Sequence, residues 1–173
     1  MVPVVVGVLL ALLINQWQQD RQERQFVERS LQAISAQNKI NAEELQYALK
    51  RQKTLIDTLR KYLGNDEFNM WQTVQRAGGL YTPDLRSTTW QFLIQNNNHT
   101  LVPYEYLSAL AEIEKYEGLI DRSNNAFSNL FFETKTLSDP DYKKILLANL
   151  YDLQNVEQQL LATFQSLDSL SFD

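Results

Sequence analysis

From Val2 to Ile14 the chain holds 13 consecutive apolar residues, counting Pro3 and Gly7, and at Asn15 it turns abruptly into a stretch of Gln, Asp, Arg and Glu broken only by Trp17. Apolar positions return at Val27, Leu31, Ile34, Leu45, Ala48, Leu55, Leu59 and Tyr62, a 4-3 spacing whose gaps hold Asn38, Asn41 and Gln52 in the same phase. That period marks the packed face of a helix. The three amides either fix register from inside a core or lie exposed, and exposure is the simpler account. No proline stands between Val4 and Thr82, and Gly64 is the first glycine after Gly7, so one helix is predicted from about Pro3 to Leu63.

Gly64 supplies a stop and Asn65-Asp66 a fresh cap for a short helix from Glu67 to Arg76, which ends at Gly78-Gly79. A loop from Leu80 to Leu85 carries Pro83, and a second short helix starts at Ser87 or Thr88 and reaches about Gln95. A long helix follows from Pro103 to about Thr136, with Tyr106, Leu110, Ile113, Tyr116, Leu119 or Ile120, Phe127 and Leu130 or Phe131 inward. Ser138-Asp139-Pro140-Asp141 stops it and starts the last helix, Pro140 to Leu170. No run has period two. The expected class is therefore all-α: three long helices packed antiparallel, two short ones at the tip farthest from the N-terminus, and the turn near Asp139 back at the N-terminal end.

The opening run admits three readings: a signal-peptide core, a buried core helix, or a membrane helix. A signal peptide lacks its basic leader and its small-residue cleavage site here, and a core helix would show polar residues on one face. At about 1.5 Å per residue the run covers only about 20 Å of a hydrocarbon layer about 30 Å thick, so the membrane reading expects part of the anchor to lie upstream. Trp17 and Asn15 suit the headgroup level, and Arg21 and Arg24 suit phosphates. Gly7 and Ala11 share a helix face at the small-xxx-small spacing that admits a second helix, although both residues are also simply common in membrane helices. The division expected is a transmembrane anchor at 1–17 and an extracytoplasmic helical bundle at 18–173. Arg21, Arg24 and Arg29 after the apolar run, taken alone, would instead put the bundle in the cytoplasm.

Charge and composition narrow the chemistry. Sixteen basic against 21 acidic residues give a net charge of −5 without a basic block, so nucleic acid is not an expected partner. Cysteine is absent, and His99 is the one histidine, in a polar loop. Together these exclude thiolate nucleophiles, Cys-bound metals and His-pair sites. Glu114, Glu117 and Asp121 fall on one helical face, but the Glu-x-x-His pairs of a di-metal bundle are missing. Phosphate loops and nucleophile elbows are missing too, and no cofactor is expected. The aromatics Trp71, Tyr81 and Trp90 cluster around the short helices as core residues or as a partner surface.

Two segments carry a resemblance. VVVGVLLALLINQWQQDRQER, with Ala11-Leu12-Leu13-Ile14-Asn15-Gln16-Trp17, resembles the anchor of an uncharacterised family of single-pass bacterial membrane proteins of the Bacteroidota. The stretch from Tyr81 to Glu117 is similar to that family's Ser-Thr pair, short helix, turn and Leu-rich helix, with Asn96-Asn97-Asn98 where the family often has Ser-Gly-Asn. The resemblance implies a basic cytoplasmic stub, one crossing of the inner membrane and a periplasmic helical domain, and it carries no activity. The functional expectation is a non-enzymatic accessory or scaffold subunit that assembles with itself or with a membrane-protein complex in the bilayer. The alternative is an extracytoplasmic ligand-sensing bundle.

Overall fold

In the computed structural model, residues 2–65, 67–86, 101–132 and 139–170 are described. They form four helices: α1 (Val2–Tyr62), α2 (Met70–Arg76), α3 (Tyr104–Phe132) and α4 (Asp139–Asp168). The all-α class stands, with no strand among the described residues. As the lack of breakers predicted, α1 is unbroken over 61 residues, about 90 Å. Its apolar run therefore continues into the bundle without a joint. Among the described residues no helix is long and apolar enough to cross a membrane.

The 4-3 stripe is the buried face of α1: Val27, Leu31, Ile34, Leu45, Ala48, Leu55 and Leu59 are all in the core. It packs against α4, whose buried Leu146, Leu150, Leu153, Leu160, Phe164 and Leu167 repeat the same 3-4 alternation. The other side of α4 packs on α3, where Tyr106, Leu110, Ile113, Ile120, Phe127 and Leu130 are buried, matching the predicted inward face. Each fully buried leucine contributes about 2 kcal/mol of apolar burial, so these seams dominate the stability.

The short helix is smaller than predicted and starts at Met70. Asn69 caps it: its Oδ1 accepts from the Gln72 amide at 2.9 Å while Gln72 Oε1 accepts from the Asn69 amide at 3.0 Å. Asn65, expected as the cap, turns its Oδ1 to the Glu67 amide at 2.7 Å instead. α2 ends as its glycines predicted. Gly78 sits at φ 86°, with the Gly79 amide donating to Val74 O at 2.9 Å and the Gly78 amide to Gln75 O at 3.0 Å.

The packed pairs α1–α4 and α3–α4 are antiparallel, but α3 and α4 run in the directions opposite to those expected. Lys143, early in α4, donates to carbonyls at the C-terminal end of α1, and Phe131, late in α3, stacks on Trp71 at 4.8 Å. The end of α3 and the start of α4 therefore lie at the tip, far from the apolar run. At the opposite end Ser35 Oγ donates to Asp168 Oδ1 at 2.9 Å, so α4 descends and α3 rises parallel to α1. The cause is residues 77–86. They do not stay at the tip but run back along α1 as an extended strap, with Gly78 beside Arg51, Tyr81 beside Gln52 and Arg86 beside Asn41. With the return made by the strap, α3 has to rise again. The second predicted short helix, 87–95, lies outside the described residues.

Candidate functional site

The apolar end of α1 projects free of the bundle. Val6, Leu10, Leu12, Leu13, Ile14 and Trp17 are all exposed, Leu13 at 62% and Trp17 at 61%, and the packed core begins only at Val27. Gly7, Ala11 and Asn15 are exposed as well, and a Cβ added at Gly7 would meet nothing within 4 Å. Among the described residues, then, nothing covers the Gly7/Ala11 face. Trp17 has the Arg21 guanidinium 5.6 Å from its ring, a cation–π pair at the first polar turn.

Of the aromatic candidates, the two described, Trp71 and Tyr81, lie apart. Trp71 is half-exposed at the tip against Phe131. Tyr81 lies further down, its ring edge-on to Tyr47 at 4.9 Å and its hydroxyl donating to Glu44 Oε1 at 2.6 Å. That bond, together with burial and the Glu44 charge, pushes the Tyr81 hydroxyl up to about 12. Tyr81 thus serves first as an anchor of the strap. Trp90 and His99 lie outside the described residues.

The polar breaks in the α1 stripe are buried, which corrects the expectation of exposure. Asn41 pairs with the backbone of Arg86 at both ends of its amide: Nδ2 donates to Arg86 O at 3.0 Å and the Arg86 amide donates to Oδ1 at 3.1 Å. The side chain imitates a neighbouring strand. Gln37 Nε2 also donates to Arg86 O. Eleven residues up, Gln52 is fully buried, and its Nε2 donates to Tyr81 O at 3.2 Å and to Glu157 Oε1 at 2.7 Å. Helix, strap and α4 meet at that one amide.

Comparison with protein-family models, curated proteins and solved structures found no match.

Two buried ionisable groups on α4 complete the picture. Lys143 is fully buried and its Nζ donates to Tyr62 O at 3.3 Å, Asn65 O at 3.0 Å and Phe68 O at 2.5 Å. Its ammonium closes the end of α1, where the helix dipole favours positive charge. Glu157 is fully buried, and burial raises its carboxyl to about 7 against the lowering effect of the Gln52 bond. Sequence reasoning passed over both. The signal was present, since Lys143, Leu146, Leu150, Leu153, Glu157, Leu160, Phe164 and Leu167 form one unbroken 3-4 series with two charges in it.

Two concavities border these elements. At the end of the bundle nearest the apolar run, a groove of about 870 Å³ lies between Val27, Leu31, Ser35, Tyr106 and Leu167. Burial, then the Asp168 charge, raises the Tyr106 hydroxyl there to about 12. Between strap and α3, a cavity of about 360 Å³ is lined by Thr82, Asp84, Leu85, Glu117, Asp121 and Asn124. Burial, then Asp121 and Glu114, raises Glu117 to about 7. Among the described residues no group of three or more His, Cys, Asp or Glu is placed to hold a metal ion.

Proposed function

We propose that the chain is a membrane-anchored, non-enzymatic scaffold subunit whose helical bundle is held off the bilayer by the front of α1. The observation that carries this reading is the exposure of six large apolar side chains between Val6 and Trp17 on one projecting helix, five of them along one broad face. A water-exposed surface of that kind is costly unless lipid or apolar protein covers it. The 13-residue run reaches about 20 Å into a bilayer, and Trp17 with Arg21 marks where it meets water. The uncovered Gly7/Ala11 face is where a second membrane helix, from another copy or from a membrane-protein complex, would pack.

The resemblance to the single-pass Bacteroidota family supports placing the anchor in the inner membrane and the bundle in the periplasm. Because the chain has no cysteine, the side is directly measurable: Ser128→Cys in intact cells should react with a membrane-impermeant maleimide. Labelling only after lysis would place the bundle in the cytoplasm instead.

Vesicle flotation tests the anchor itself. The full chain should float with phosphatidylethanolamine/phosphatidylglycerol vesicles, and Leu10→Glu with Leu13→Glu should leave it in the dense fractions. Wild-type protein staying in the dense fractions would sink the anchor. A defined assembly after gentle detergent extraction is the expected mark of a scaffold, and a lone monomer counts against it. The ligand-sensing alternative draws on the groove at Tyr106, whose size suits a small amphiphile. A raised melting midpoint with such a ligand would favour that reading.

A further inference from the structure

We propose that Glu157 carries a proton in the folded bundle and, through Gln52, latches the strap, so that loss of this proton loosens residues 77–86 from α1. Both partners of Gln52 Nε2, the Tyr81 carbonyl and Glu157 Oε1, are acceptors, which fixes the orientation of the amide and uses both of its hydrogens. That leaves two buried oxygens, Gln52 Oε1 and Glu157 Oε2, with no hydrogen-bond partner. An ionised carboxylate satisfies neither, because each is then an acceptor facing no donor. One proton on Oε2 changes the account. It turns that atom into a donor, and the acceptor in need of it is on the same amide that already holds the other carboxyl oxygen. The result is a closed acid–amide ring with the strap bonded to its outer edge.

The surroundings favour the neutral form. The groups facing Glu157 are Gln52 from α1 and, through it, the Tyr81 backbone from the strap. Burial pushes its carboxyl up and the Gln52 bond draws it down, and among the described residues no charged group acts on it. Ionisation would put an unpaired charge into the apolar interior, and the proton goes to water. The strap's other flank titrates in the same range. Glu117, which lines the same cavity as Asp84, is also raised to about 7, by burial and then by Asp121 and Glu114, with no strap residue among the causes. Glu44 holds the Tyr81 hydroxyl and the Asp84 amide, and Arg51 Nη2 holds Gly78 O at 2.5 Å; none of these three bonds includes Glu157 itself.

The sign follows from linkage. A carboxyl whose folded value, about 7, lies above its ordinary 4.5 binds more protons folded than unfolded. Stability is therefore greatest at low pH, falls as pH rises between those two values, and is level above them. The full chain in detergent should lose about 5 °C or more of melting midpoint between pH 5.5 and 8.5, and hydrogen exchange at the Asp84 and Arg86 amides, corrected for intrinsic rate, should quicken over the same range.

Glu157→Gln keeps the shape of the neutral acid and should make strap exchange nearly independent of pH, whereas Glu117→Gln should remove only a minor part of the slope. If Glu157→Gln folds and keeps the wild-type slope, or if strap exchange in the wild type does not change between these pH values, the latch is wrong. Carbon-13 titration of the Glu157 carboxyl in the wild type decides the matter even if the variant fails to fold. A midpoint near 7 supports the latch, and one near 4.5 overturns it. None of these readouts depends on membrane attachment.

Discussion

Lys143 shows how one residue can hold two helices in place. Its ammonium reaches the carbonyl of Tyr62, the last residue of α1, and those of Asn65 and Phe68 just beyond it, supplying donors at a partly buried helix end. Lys143→Met keeps the apolar stem and removes the donor, so the cost is that of orphaned carbonyls. Urea denaturation should show a loss of about 2–4 kcal/mol. An unchanged midpoint would mean that water replaces the ammonium freely. In the sequence Lys143 is half of a Lys-Lys pair, and only its place in the 3-4 series marks it as interior. Glu157 was hidden in the same way, since a period describes where a side chain points and says nothing of what awaits it there.

Among the elements, the strap decides most of the architecture. Two-point pairing of Asn41 with the Arg86 backbone gives an extended segment the hydrogen bonds of a sheet edge without a second strand. Asn41→Leu completes the apolar stripe of α1, and on heptad logic alone it would stabilise the helix. Because the strap backbone would lose its partners, a destabilisation of about 1–3 kcal/mol is expected instead by chemical denaturation. The unbroken length of α1, the α2 stop at Gly78-Gly79 and the inward faces were readable because breakers and periodicity act locally. The path of residues 80–86 was not. It depends on amides in α1 that lie 29 to 45 positions away in sequence, and Asn41, Gln52 and Glu44 gave no sign of having been reserved for it.

For the whole molecule, the strap inverts the expected direction of α3 and α4, placing the C-terminal end of α4 beside Ser35. Ser35→Cys with Asp168→Cys in this cysteine-free chain should oxidise to an intramolecular disulfide, visible as a mobility shift on non-reducing gels. The antiparallel order expected from helix count alone would keep those positions at opposite ends of the bundle and give no such bond. That order failed because it assumed every long connection turns at a tip, as short-loop bundles do. The apolar front of α1 was legible at once, being a matter of composition; what covers it is a property of its surroundings.

The seamless run of α1 has a mechanical consequence. From Trp17 to Tyr62 a single rod extends about 68 Å, with neither proline nor glycine to serve as a hinge. A rocking of the greasy end by about 10° would sweep the opposite extremity through about 12 Å, so whatever grips the first four turns also steers where the rest of the protein points.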